Sequence, residues 1–432
     1  MGFGVEIVDN PNFILKMRSV MDNRCNLKGV QSAATKQPTL SAVELFAGAG
    51  GLALGVEGSG FSHSAVVERD TVACETIRKN AAKGVISQWP LIEDDVREIR
   101  YKDLATDLDL LSAGPPCQPF SLGGKKRGRS DSRDMFPETI RAVRELRPKA
   151  FLIENVKNLE SIASGDYMEY IRLQLQYPEA ERKTGEKWTT HLARLERLHT
   201  GGSDSAGYKL VVRTLNAADY GIPQRRERVF MVGVRADLGI EFSFPEPTHS
   251  LNALIVSKWK NSDYWEKVGV AARYRAPAPS RIHDKIDAIA ATPDALRKPW
   301  VTVRQALAGL PDPKVERAQV SNHEYLSGAR VYEGHTGSPW DEPAKTLKAG
   351  SHGVPGGENM LVQDNGSVRY FTIRECARLQ TFPDNYVFTG SWGTMVRQLG
   401  NAVPVSLAKI VSGALAEAIK DRHQMEMPQN AG

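Results

Sequence analysis

Residues 41–57 carry the feature that most limits what this chain can fold into. A buried-strand run, Ser41 to Ala47, leads directly into a glycine turn, Gly48-Ala49-Gly50-Gly51, and then into an apolar helical run, Leu52 to Glu57. A strand that feeds a helix through glycines must return to its sheet, and the next segments do so. Ser64-Ala65-Val66-Val67 reads as a second strand ending in Glu68-Arg69-Asp70, a helix follows around 71–82, and Asp94-Asp95-Val96 is another acidic strand end. Leu108 to Leu111 reads as the fourth strand. This βαβαβ alternation predicts an α/β fold with a mainly parallel sheet and helices on both faces. Such sheets place their chemistry outside the carboxyl ends of the strands.

Three features at those ends suit a ligand. The glycines let backbone approach closely and leave helix N–H groups facing it. The spacing is Gly-x-Gly-Gly rather than the dinucleotide G-x-G-x-x-G, so by itself the turn is equally well only a turn. The carboxylates Glu68 and Asp95 add weight: one can bond ribose hydroxyls and the other an adenine amine, which points to an adenosine-containing cofactor. After the fourth strand comes Gly114-Pro115-Pro116-Cys117-Gln118-Pro119-Phe120-Ser121, a thiol in a proline-stiffened turn, followed by the basic, glycine-rich stretch to Arg133. A structural cysteine belongs inside an apolar element; this one sits where a strand gives way to a loop. Cys25, Cys74 and Cys376 complete the set. So few cysteines in so long a chain, without CxxC or metal-ligand spacing, argue against a disulfide framework and a metal site and for a reducing, cytoplasmic setting.

A helix is expected at 134–147, then the strand Phe151-Leu152-Ile153 ending in Glu154-Asn155-Val156. Glu154, at a strand end beside the cysteine-bearing one, is a candidate acid; a lone Glu there also suits a surface position. Residues 161–205 read as a solvated insertion with a helix around 192–198. Leu210 to Val212 and Arg228 to Val234 close the sheet. Between them, Gln224-Arg225-Arg226-Glu227-Arg228 puts Arg226 and Arg228 on one side, where they need an anion or acceptor; a surface ion-pair strip is the alternative. Composition shifts after about 236: residues 241–360 hold 11 of the 24 prolines and four of the seven tryptophans. Regular pattern resumes at Phe371 to Gln380, with Thr372 and Glu375 forming a capping box and Cys376 in the core. Gln398 to Pro404 then opens a last helix with Val403, Leu407, Ile410, Val411 and Leu415 on its apolar face. No apolar run approaches a membrane span. The net charge of +5 is only weak support for a polyanionic partner.

The order of these motifs resembles the DNA (cytosine-5)-methyltransferase family of bacterial restriction–modification systems. It runs from Phe46-Ala47-Gly48-Ala49-Gly50-Gly51 through Pro115 to Ser121, Glu154-Asn155-Val156 and Gln224 to Arg228, to Arg374 through Pro383 and Gly400-Asn401-Ala402-Val403-Pro404. The resemblance implies a Rossmann-like S-adenosylmethionine-binding domain (39–240 and 385–432), an N-terminal extension (1–38), and a loop-rich target-recognition domain (241–384), of which 241–370 would read the major groove. S-adenosylmethionine would lie against Phe46, Gly48, Gly50, Gly51, Leu52, Glu68, Asp95, Val96, Pro115, Asn401 and Ala402, without a metal. Members often carry an aromatic residue after that glutamate; here it is Arg69.

The resemblance also implies roles. Cys117 would add to C6 of a flipped-out cytosine, making C5 nucleophilic. Glu154 would bond N3 and the exocyclic amine, Arg228 the O2 side, and Arg226 would favour the thiolate. Gln118, Ser121, Lys125, Lys126, Arg127, Arg129, Arg133 and Thr346 would face double-stranded DNA. The expected protein is a cytoplasmic monomer, free of membranes, functionally paired with a restriction endonuclease. A tRNA cytosine-5 methyltransferase and a non-catalytic DNA-binding homologue are the competing readings. The glycine spacing and the Pro-Pro-Cys turn speak against a dehydrogenase.

Overall fold

A computed structural model describes residues 39–116, 134–157, 159, 165–201, 207–314, 320–331, 336–350 and 359–426. The chain forms β1 (Leu40–Leu45), α1 (Gly51–Gly58), β2 (Phe61–Glu68), α2 (Thr71–Ala82), β3 (Leu91–Glu93), β4 (Leu110–Ala113), α3 (Phe136–Leu146) and β5 (Ala150–Val156). It continues with α4 (Gly165–Gln176), α5 (Trp188–Thr200), β6 (Tyr208–Asn216), the short β7 (Gln224–Arg225) and β8 (Glu227–Arg235). Seven strands make the central sheet in the order β3-β2-β1-β4-β5-β8-β6. The first five are parallel; β8 is antiparallel to both β5 and β6. This is the expected mainly parallel, Rossmann-like sheet.

Burial on both faces explains the near-continuous apolar runs of β1, β4 and β5. Val43 and Leu45 pack with Phe136, Ile140 and Val143 of α3 on one side, and Leu40 and Ala42 pack toward α1 and the C-terminal helix on the other. Asp70 starts α2 by accepting a hydrogen bond from the Ala73 amide at 3.0 Å. The C-terminal α9 (Val405–Glu426) docks on α1 through Leu407, Val411 and Leu415, as its apolar face requires. The approach is close because α1 carries Gly55: a Cβ there would lie 2.4 Å from that of Ala408.

The structure departs from the sequence reading in three places. Residues 161–205 are not a solvated excursion where they are described. Tyr170, Ile171, Leu173 and Leu175 of α4, with Leu192 and Leu195 of α5, are buried in the same cluster as α3. Charged residues occupy the outer faces and hid the apolar stripe. Second, Gln398 to Asn401 ends α8 (Trp392–Asn401) rather than opening the last helix, which begins at Val405. Third, Trp392–Arg422 is long and apolar enough, by composition, to cross a membrane, although 56% of its most apolar window is buried inside the protein.

The segment after β8 has no βαβ order. Its short elements include α6 (Leu251–Trp259), which packs beside Trp265 and Trp300. The capping box at Thr372 and Glu375 is present at the start of α7 (Ile373–Leu379), and Cys376 is buried. Packing is continuous across residue 384: Phe371, Ile373, Leu379, Phe382 and Tyr386 share one apolar cluster with Ala47, Ala49, Ala53 and Ile77.

One buried acid sits in the middle of the sheet. Glu44 of β1 is inaccessible to solvent, accepts a 2.6 Å hydrogen bond from Ser112 of β4, and lies 3.9 Å from His63. Burial pushes its carboxyl up to about 8 and the imidazole of His63 down to about 4, so both are neutral at pH 7. An acid whose folded value is raised favours the fold fully only below its unfolded value, near 4.5, and that contribution is lost as pH rises toward 8. At ~1.4 kcal/mol per pKa unit, the loss is on the order of 3–5 kcal/mol. Urea denaturation of the wild type and Glu44→Gln at pH 5, 6.5 and 8 should show the wild type losing stability relative to the variant as pH rises. A constant gap between the two would refute the buried neutral carboxyl.

Candidate active site

The carboxyl ends of β1, β2, β4 and β5 open into a cavity of about 430 Å³. That volume is in the usual range for small-molecule sites. Phe46, Gly48, Gly51 and Leu52 line it from the glycine turn, Glu68, Asp95 and Val96 from the second and third strand ends, and Pro115 from the fourth. Glu154 and Arg228 form a further wall, and Asn401 and Ala402 complete it from the end of α8. Residues more than 350 positions apart therefore meet at one site.

Gly50 alone of the expected cofactor residues does not line the cavity. Its φ of +81° makes the turn into α1, and a Cβ there would lie 2.9 Å from the Trp89 ring. Only glycine satisfies both conditions. Glu68 is fixed by the backbone around it: its carboxylate accepts from the amides of Gly48 at 2.7 Å, Arg69 at 2.9 Å and Asp70 at 2.7 Å. The first of these bonds locks the second strand end against the glycine turn. Asp95 is gripped by Arg97 at 2.6 and 2.9 Å and by Arg69 at 3.2 Å. The Arg97 contacts, with help from Arg69, hold its carboxyl well below the usual carboxylate range. Arg69, where an aromatic residue was expected, thus braces the neighbouring strand end.

Glu154 and Arg228 lie side by side on the antiparallel pair β5 and β8. Arg228 Nε is 2.9 Å from Glu154 Oε1, with the two side chains 13% and 9% exposed. The contact is an ion pair without an aligned hydrogen bond to that oxygen. Burial raises the Glu154 carboxyl, while Arg228 and then Arg226 pull it back. A carboxyl so placed keeps its proton to higher pH than a free glutamate and can hand it to a ligand.

Asn155 lines the cavity and is a residue that sequence reasoning did not single out. Its side chain donates to the Pro115 carbonyl at 3.0 Å and so ties the start of the Pro-Pro-Cys turn to β5. Arg397 is another. It lines the cavity from α8 and pairs with Asp70 at 3.2 Å; its position four residues before Asn401, on the same helical face, was the available signal.

Arg226 requires a correction. It is wholly buried and is not among the residues lining the cavity. Its guanidinium donates to the carbonyls of Leu347 at 3.1 Å, Gly400 at 2.8 Å and Ala402 at 2.9 Å. A side chain bound in this way holds backbone rather than facing the cavity, and its expected effect on the Cys117 thiolate falls outside the described residues. Thr346 is away from the cavity, with its hydroxyl donating to the Arg225 carbonyl at 2.7 Å. Cys117, Gln118, Ser121, Lys125, Lys126, Arg127, Arg129 and Arg133 lie outside the described residues. Among the described residues no group of three or more His, Cys, Asp or Glu side chains could hold a metal ion.

The family model described as C-5 cytosine-specific DNA methylase matches residues 40–177 and 202–417. The chain is 33% identical over 387 residues to the Type II methyltransferase M.PspPI of Psychrobacter sp. (strain TA137), covering 89% of this chain and 81% of that one. It is 32% identical over 381 residues to M.Eco47II of Escherichia coli, covering 87% and 79%. Among solved structures, the S. pombe Dnmt2 methyltransferase aligns with a TM-score of 0.52 at 19% identity, over 88% of this chain and 99% of that one. The Entamoeba histolytica methyltransferase EhMeth aligns with a TM-score of 0.50 at 14% identity, over 89% and 99%. At those identities the structural likeness concerns the fold.

Proposed function

The chain belongs to the C-5 cytosine-specific DNA methylase family, and on that premise we propose which residues of this DNA cytosine-5 methyltransferase do what. The observation that carries the assignment is the shared cavity: the glycine turn, two acidic strand ends, Pro115 and the Glu154–Arg228 pair all open into it. Its donors and acceptors suit S-adenosylmethionine. Phe46 and the backbone of Gly48 and Gly51 receive the methionine part, Glu68 the ribose hydroxyls, Asp95 the adenine amine, and Asn401 and Ala402 close the pocket. When bound, that molecule supplies an activated methyl group. Asp95 is already held by two arginines, which fixes its direction before an amine arrives.

The protein's own residues prepare the base. The Cys117 thiolate forms a bond to C6, and the electron pair displaced from the C5–C6 double bond makes C5 nucleophilic. Glu154 gives a proton to N3 as negative charge develops there, and Arg228 bonds the O2 side. Loss of the C5 proton after transfer restores the double bond and expels Cys117. The base has to leave the duplex for this geometry, since Cys117 and Glu154 must reach its ring from two sides. The segment 241–370 serves as the sequence reader, and the basic residues from Lys125 to Arg133 meet phosphate. The curated relatives are Type II methyltransferases, which supports a modification role beside an endonuclease, on cytoplasmic DNA.

The decisive experiment incubates the purified protein with methyl-labelled S-adenosylmethionine and either plasmid DNA or bulk tRNA. Label should appear as 5-methylcytosine in the DNA, confined to one short sequence on mapping. Label in tRNA, or as a methylated exocyclic amine, would overturn the assignment.

A further inference from the structure

The hydrogen bonds of Arg226 join two places that a methyltransferase has reason to connect. Leu347 belongs to the segment that begins with the two-residue strand Ala344–Lys345, paired in parallel with β7. Gly400 and Ala402 belong to the wall of the cofactor cavity. One guanidinium bridges the carbonyls of both. Two glutamines reinforce the connection. Gln224 accepts from the Leu347 amide at 2.9 Å and donates to the Leu379 carbonyl at 3.2 Å and to Gln380 at 3.1 Å. Gln380 donates in turn to the carbonyls of Leu399 at 2.5 Å and Ala402 at 3.3 Å. All three side chains are wholly buried. The two segments also touch directly, because a Cβ on Gly400 would lie 2.3 Å from the Ala349 amide nitrogen.

A buried arginine is an expensive way to hold carbonyls if stability were its only purpose. What it supplies is geometry. The guanidinium is a rigid planar fork, so the distance between its acceptors is set by the side chain itself. A shift of the 345–348 segment must therefore be shared by the 400–402 wall. Arg226 also stands two residues before Arg228, so the same strand start bears on the Glu154 pair.

We propose that Arg226, with Gln224 and Gln380, is the joint through which DNA engaged by the 344–348 segment and cofactor held against residues 400–402 strengthen each other's binding. The proposal rests on the functional reading above for what occupies each side. Arg226 is then a positioning residue. Coupling of this kind is reciprocal and typically amounts to a factor of five to about 150.

The test measures affinity for S-adenosylhomocysteine with and without a plasmid fragment that the wild-type protein methylates, and for the fragment with and without S-adenosylhomocysteine. The wild type should show the same factor in both directions, about tenfold. Arg226→Lys keeps the charge but cannot bridge both segments. Its separate affinities should stay within about threefold while the mutual factor falls below about two. Gln224→Met, which removes the acceptor for Leu347, should act in the same direction and serves if the lysine variant does not fold, as thermal melting will show. Folded variants that keep the full factor overturn the joint, and so does a wild type that binds both ligands without mutual effect. Separate affinities and melting temperature falling together, with the factor intact, would make the residues structural only. A wild type that binds no S-adenosylhomocysteine overturns the functional reading and the joint with it.

Discussion

A Cys117→Ser protein should bind substrate DNA normally and produce no detectable 5-methylcytosine, a loss on the order of 10⁴-fold or more, as for other removed nucleophiles. The reason is chemical. A thiolate is available near neutral pH, whereas a serine hydroxyl needs a strong base to become comparably nucleophilic. The structure removes the competing thiols among the described residues. Burial pushes Cys74 up to about 12 and Cys376 higher still, and both lie in the packed interior. The approach to residue 117 is also built. The Pro115 carbonyl is held by Asn155, and the Pro116 carbonyl accepts from the Met135 amide at 3.4 Å. DNA carrying 5-fluorocytosine in the mapped site provides the second readout, since fluorine at C5 blocks the final proton loss. The wild type should form a denaturant-stable adduct with it and Cys117→Ser should form none. An adduct that persists in the variant would remove Cys117 from the mechanism.

What could be read from the sequence divides along physical lines. Local signals held. The Thr372–Glu375 box ahead of α7 caps where the residue types say it should. The apolar runs of β1, β4 and β5 name a sheet buried on both faces, and the acids that follow β2 and β3 do reach one cavity. Features that depend on distant partners were not legible. Nothing local says that Gly50 serves Trp89, that Arg69 would brace Asp95, or that Arg226 would turn to carbonyls more than 120 residues away while Arg228 turns to Glu154. A period of two placed both arginines on one side, but it could not divide them between inner and outer partners. The helix around 192–198 was legible, but the burial of α4 and α5 was not, because charge density outweighed a real apolar stripe in a reading by composition. The family model matches residues 40–177 and 202–417, and α5 lies between the two stretches.

Glu154→Gln should lower turnover by roughly 10²–10⁴-fold, the range for a lost general acid, while changing DNA affinity little. Glutamine matches the shape of the carboxyl and can still face the base, but it has no proton to give to N3. In the wild type, burial raises this carboxyl and the two arginines limit the rise. The protonated form therefore survives to higher pH than in a free glutamate, and the activity that depends on it declines as pH rises through the raised value. That alkaline limb should be absent from the residual activity of the variant. A structural side effect has to be separated from this. Arg228 is held at 13% exposure with burial opposing its charge, and Glu154 is its counter-ion. Removing one partner of such a pair can cost about 3–5 kcal/mol of stability. Thermal melting of Glu154→Gln and of the double variant Glu154→Gln/Arg228→Met measures that cost, since the double variant no longer buries an unpaired charge. Recovery of stability in the double variant assigns the melting loss to the unpaired Arg228 charge; the carboxyl acts on the base if Glu154→Gln by itself loses turnover while keeping its DNA affinity. If turnover, DNA affinity and melting temperature of Glu154→Gln fall together, Glu154 is a structural partner of Arg228 and the proton must come from elsewhere.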